Sequence, residues 1–221
     1  MKSTLLTRSV LIPAVAGLAI TLSACGSDDD PSDSSASSTT SSSASESAAS
    51  TETASSGDPF GAGCTAVPAD GEGSFTGMAD DPVGTAASNN PALSTLVQAV
   101  TAANLVDTLN TTDNITVLAP ANPAFEAIPP DTLNAVLADT AQLTAILTHH
   151  VIPGRLTPEQ LAGTHTTLNN DEVTIEGSGE SFTIAGEGTV TQTQASVICG
   201  NVQTANATVY IIDQVLAPPA A

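Results

Sequence analysis

Ile115-Thr116-Val117-Leu118-Ala119-Pro120-Ala121-Asn122-Pro123-Ala124-Phe125 is the stretch whose reading decides the fold. Its first five residues form a short apolar run rich in β-branched side chains, which reads as a buried strand. Asn122 then stands directly before Pro123, the pairing of N-cap and first helical position that starts a helix. That helix carries Phe125 and stops at Pro129-Pro130.

Working outward, Asn90-Pro91 repeats the start signal, and Leu93, Leu96, Val97 and Val100 follow along one helix face. A second short helix through Leu105, Val106 and Leu109 is expected after a break near Asn104. Downstream, Leu133, Val136 and Leu137 mark another helix. Asp139 caps the next, in which Leu143, Ile146, Leu147 and His150 keep helical spacing. Thr157-Pro158-Glu159-Gln160 has the form of a capping box. Beyond Gly163 the pattern turns to alternation. Val173/Ile175 and Phe182/Ile184 flank a Gly177-Ser178-Gly179 turn, the mark of a hairpin, and Val197-Ile198 and Val209 to Leu216 supply further strands. Helices come first and strands second, which favours an α+β fold with an antiparallel sheet over βαβ winding. Gly61 to Gly84 is rich in Gly and Pro and is expected to wrap the domain in extended form. No repeat of solenoid length is visible.

The chain opens with Lys2 and Arg8 ahead of an apolar run that leads into Leu22-Ser23-Ala24-Cys25. Basic n-region, short h-region and small residues form a secretory signal, and a span would need about 20 apolar residues. The cysteine at the cleavage point resembles the bacterial lipobox, so Cys25 is expected to carry lipid and to hold the protein in the membrane. From Gly26 to about Gly57 the chain is almost wholly Ser, Thr, Ala, Asp and Glu, too apolar-poor to offset its ordering entropy. It reads as a flexible stalk with a reach of roughly 30 Å, of a composition that suits O-glycosylation. The expected organisation is residues 1–24 signal, 25–60 lipidated cysteine and stalk, 61–90 arm, and 91–221 domain.

Without Lys2 and Arg8, Arg155 is the one strong base beside 23 acidic residues. Nucleic acid is excluded as a partner, since phosphate binding needs clustered Lys and Arg, and direct adhesion to anionic lipid is disfavoured for the same reason. Asp28-Asp29-Asp30 lacks the alternate spacing of a calcium loop. With Cys25 lipidated, Cys64 and Cys199 remain in an oxidising compartment, where an even remainder favours a disulfide over two buried free thiols.

Candidate chemistry is sparse. His150 shares a face with Leu143, Ile146 and Leu147 and is expected to point inward. His149 points elsewhere, and His165 has no ligand-spaced neighbour, so no metal site and no cofactor is expected. Asn122 reads as a helix cap and Asp213 as an acceptor for backbone or Asn donors. There is no Gly-x-Ser-x-Gly elbow and no phosphate loop. The sequons at Asn110, Asn114 and Asn206 are incidental in a bacterial host. A catalytic role is therefore not expected.

Three blocks in order resemble the fasciclin (FAS1) domain: Thr116 to Phe125, Leu147-Thr148-His149-His150-Val151-Ile152-Pro153-Gly154, and Val209-Tyr210-Ile211-Ile212-Asp213-Gln214-Val215-Leu216. The stretches Gly77 to Val83, Ala86 to Pro91, Asn104 to Leu109 and Thr204 to Tyr210 are similar to the exported mycobacterial fasciclin-domain antigens. The resemblance implies a β-sandwich or wedge with packed helices. It also implies a pairing of Cys64 with Cys199 that links arm to domain. For function it implies cell-surface adhesion or matrix and envelope binding, with an unidentified protein, glycan or lipid as partner. A carrier of a lipid or small apolar ligand is the alternative. Pro123 replaces an acidic or polar family residue, and His149 stands where the family usually has Tyr. Asn201-Val202 occupies the place of an Asp-Ile pair to which integrin adhesion is ascribed in animal members. That adhesion is therefore not carried over.

Overall fold

The computed structural model describes residues 57–219. The strand at the decisive stretch is β1 (Ile115–Pro120), and all six of its positions are buried. Its continuous apolar pattern has a cause: β1 sits inside the sheet, with a core on each face. The one polar member, Thr116, is satisfied, donating to the Gly154 carbonyl at 2.7 Å and accepting from the Leu156 amide at 2.8 Å.

Seven strands form one sheet in the order β2-β1-β7-β6-β5-β4-β3. The remaining strands are β2 (Val151–Pro153), β3 (Gly163–Thr166), β4 (Glu172–Ser178), β5 (Ser181–Ile184), β6 (Ala195–Gln203) and β7 (Ala207–Ile212). All pairings are antiparallel except β1 with β7, which run parallel from Ile115↔Ala207 to Pro120↔Ile212. The α+β class holds, but the sheet is mixed. The parallel pair arises because the chain reaches β7 from β1 through the helices and the hairpin strands. The sheet also bends. β6 shifts register twice between Val197 and Val202, with Asn201 at a positive φ of 59°, and such bulges turn a strand. The far end folds back far enough for the Leu168 amide to donate to the Val151 carbonyl at 2.8 Å. The result is a nearly closed wedge.

The helices are α1 (Phe75–Ala79), α2 (Val83–Asn89), α3 (Ser94–Ala102), α4 (Val106–Thr111), α5 (Asn122–Glu126), α6 (Pro130–Ala138), α7 (Thr140–His149) and α8 (Pro158–Leu161). The break before α4 is at Asn104, with φ 55°. Asp139 caps α7 by accepting from the Ala141 and Gln142 amides, and the Thr157 capping box opens α8. One face of the sheet packs Leu96, Val100, Val117, Phe125 and Val209 under the helices. Inside the wedge lie Leu118, Ile175, Phe182, Tyr210 and Leu216.

Three local expectations change. The arm is helical, carrying a 3-10 turn (Ala62–Ala66), α1 and α2. Its caps come from Ser74, which accepts from the Gly77 amide, and from distant asparagines. The hairpin turn is Gly179-Glu180, since Gly177 and Ser178 still pair with Phe182 and Ser181, and the positive φ of 64° falls on Gly179. Finally, β7 ends at Ile212 because Asp213 turns its carboxylate to the Ser196 amide, 2.6 Å away.

Candidate functional site at the histidine pair

Residues His149 and His150 sit where α7 ends and β2 begins, and both are only 2% exposed. Their rings lie 6.4 Å apart and nearly perpendicular. Their chemistry nevertheless differs completely.

Both nitrogens of His150 are used by backbone. Nδ1 donates to the Ile146 carbonyl at 2.7 Å, and Nε2 accepts from the Leu216 amide at 2.9 Å. The second bond requires a lone pair, which fixes a neutral ring in one tautomer. Burial pushes the pKa down to about 4; the Ile146 bond opposes this and the neighbouring His149 adds to it. His150 is thus an inward structural histidine that ties α7 to the chain beyond β7.

His149 is held from one side only. Its Nδ1 lies 2.6 Å from Oδ1 of Asp171, in the turn between β3 and β4. Burial works to raise the Asp171 pKa, but hydrogen bonds from Thr167, Asn169 and His149 outweigh it and hold the carboxyl below its usual range. An ionised Asp171 accepts, so Nδ1 carries a proton, and in the neutral ring Nε2 then presents a lone pair. Nε2 has no hydrogen-bond partner among the described residues, although no fully buried polar atom there is left unpaired. It therefore opens onto the cavity that His149 lines. That cavity holds about 230 Å³, with Glu172, Thr174, Glu187 and Pro219 among its walls.

An imidazole oriented by a carboxylate is two-thirds of a nucleophilic triad. The missing third is a hydroxyl or thiol within hydrogen-bond reach of Nε2, and none stands there among the described residues. Nor is any group of three His, Cys, Asp or Glu spaced for a metal ion among the described residues. The third histidine, His165, is apart from both, with Nε2 2.9 Å from the Leu161 carbonyl.

The other residues singled out by sequence are structural in position. Cys64 and Cys199 form a disulfide across 135 positions, fastening the arm to β6. Beside it, Phe60 and Gly200 exchange backbone hydrogen bonds. A Cβ on Gly200 would lie 2.3 Å from the Phe60 ring. Asn122 does cap a helix, but not its own. Its Oδ1 accepts from the Thr95 amide of α3 at 3.0 Å, and its Nδ2 donates to the Pro91 carbonyl. Asn201 and Val202 are buried, and the Asn201 amide donates to the Gly57 carbonyl. A pair so placed offers nothing to a partner. Two sequon asparagines act as clasps. Asn206 accepts from the Val83 amide and donates to the Leu109 and Thr112 carbonyls, while Asn110 accepts from the Gly84 amide. Arg155 donates to the carbonyls of Thr204 and Ala207, closing the β6–β7 turn. Cys25 lies outside the described residues, as do the signal and most of the stalk.

Sequence reasoning missed the Asp171 contact, the cavity at Nε2 and the asparagine clasps. A His-His pair followed 21 positions later by an Asp gives no periodic signal; only the turn between β3 and β4 brings them together.

The fasciclin domain family model matches residues 91–218. Immunogenic protein MPB70 of Mycobacterium bovis (strain ATCC BAA-935 / AF2122/97) is 44% identical over 175 residues, covering 76% of this chain and 86% of the relative. Cell surface glycolipoprotein MPB83 of Mycobacterium bovis (strain BCG / Tokyo 172) is 44% identical over 180 residues, covering 76% and 78%. A solved FAS1 domain pair from the insect cell adhesion molecule fasciclin I is 28% identical, with a TM-score of 0.47 over 60% of this chain and 47% of that one. The chain belongs to the fasciclin domain family.

Proposed function

We propose that this protein is a non-catalytic, lipid-anchored binding protein of the cell envelope, facing outward, whose fasciclin domain mediates adhesion or attachment to matrix or envelope material. The observation that carries this reading is a fasciclin domain that follows a lipobox-like cysteine and a polar stalk, and no nucleophile stands beside its oriented His149 among the described residues. The relative named a cell surface glycolipoprotein supports the location. Lipid at Cys25 would supply the membrane attachment.

The carrier alternative finds less support. The apolar cavities between helices and sheet hold about 40, 20 and 50 Å³, whereas ligand pockets run to roughly 300–1,000 Å³. The partner is thus expected on the surface. Two experiments test the reading. Cys25→Ser should move the protein from the membrane fraction to the medium, and retention in the membrane would contradict the anchor. A strain lacking the protein should lose adhesion to, or capture of, surface material; unchanged adhesion would contradict the function.

A further inference from the structure

The cavity at His149 has a one-sided chemistry. Asp171 fixes the Nδ1 proton, so in the neutral ring the unpaired Nε2 is an acceptor on a side chain that lines the space. Glu172, at the start of β4, and Glu187, in the turn Gly186–Gly188, contribute carboxylates. With that ring neutral, the cavity walls carry three acceptor groups, and no Lys or Arg is among them. The remaining walls are largely apolar, including Val173, Ile184 and Pro219. Among the described residues Arg155 is the only Lys or Arg, and its guanidinium is engaged at the β6–β7 turn. The domain therefore has no cation of its own to place there.

These features select among ligands. An anion would meet carboxylates. A bare metal ion needs three close ligands, which are not grouped here among the described residues. A sugar would look for a broad aromatic face to stack on, and no Phe, Tyr or Trp lines the cavity. A long aliphatic stem ending in N–H donors satisfies both halves of the site, since Lys and Arg lay their methylenes on apolar walls and carry the charge at the tip.

We propose that the His149 cavity is a binding site for a lysine or arginine side chain presented by a protein partner. The stem packs against Val173, Ile184 and Pro219, and the cationic head donates to Nε2 of His149 and to the carboxylates of Glu172 and Glu187. This rests on the adhesion reading for its biological setting, but its test uses the purified full chain alone, so the two fail separately. NMR titration would follow the amides of residues 172–174 and 185–188 with N-acetyl-arginine methylamide and N-acetyl-lysine methylamide. The neutral N-acetyl-norleucine methylamide and N-acetylglucosamine, together with zinc chloride, serve as contrasting probes. Saturable shifts are expected with at least one basic probe and not with norleucine. Binding should weaken tenfold or more in the Glu172→Gln/Glu187→Gln variant, whose changes lie on exposed positions and leave the core intact. Absence of saturation with both basic probes would overturn the proposal. So would equal binding of norleucine, unchanged binding in the double variant, or a response to N-acetylglucosamine or zinc alone.

Discussion

The side of the molecule where the arm is fastened and the corner at His149 are built from similar polar residues, and they end in opposite states. On the arm side no fully buried side-chain donor or acceptor among the described residues lacks a partner. Asn206 and Asn110 hold the start of α2, the disulfide holds the 3-10 turn, and Phe60 adds itself to β6. At the His149 corner one nitrogen is locked and the other is left facing an acidic cavity. Saturated polar groups make architecture; an oriented, unsaturated one is available to something else. His150, one residue away, belongs to the saturated class.

The comparison breaks most visibly at the staple. Replacing both Cys64 and Cys199 by Ser should destabilise the domain by up to ~5 kcal/mol in the chain-entropy model, given the 135-residue separation. Urea denaturation checks this. A loss below about 1 kcal/mol would mean that the clasps alone hold the arm.

Next comes His150. Its folded pKa of about 4 lies below the ordinary 6.5, so the unfolded chain binds the extra proton between those values. Stability is therefore full above about pH 6.5 and falls as pH drops toward 4, by roughly 3 kcal/mol. Asp171 acts lower down. Its depressed pKa stabilises the fold above the ordinary carboxylate value of 3.8, and that contribution is lost as pH falls further. Urea midpoints at pH 7, 5.5 and 4 should show the first decline, and His150→Asn should flatten it. A profile flat from 7 to 4 in the parent chain would contradict the neutral, doubly bonded ring.

Asn206→Ala removes one acceptor and two donors whose partners are backbone groups. A loss of about 2 kcal/mol is expected, from buried groups left unpaired, with faster hydrogen exchange across α2. The smallest structural effect belongs to the other region. Glu172→Gln and Glu187→Gln are exposed changes and should shift stability by less than about 0.5 kcal/mol.

Much of this fold was legible in the residues. Apolar runs and cap residues located β1, α7, α8 and the β4–β5 hairpin, because those signals are local. The arm was not legible: the N–H groups of α2 are capped by residues more than 20 positions away, so no local start signal exists. β3 was missed because its four residues are mostly exposed and polar, and it is held by pairing with β4. The parallel β1–β7 pair reflects topology, on which residue order is silent. Of the site, the inward turn of His150 was readable from the apolar stripe it shares. The role of His149 was not, because it depends on Asp171 arriving from the next turn of chain.

Under the proposed function, the fasciclin domain works by binding while it is held at the envelope. Adhesion of cells carrying the parent protein, the Cys25→Ser variant and no protein, scored on the same surface material, tests it most directly. Adhesion is expected with the parent and not with the other two, with the Cys25→Ser protein recovered folded in the medium. Equal adhesion by all three would contradict it.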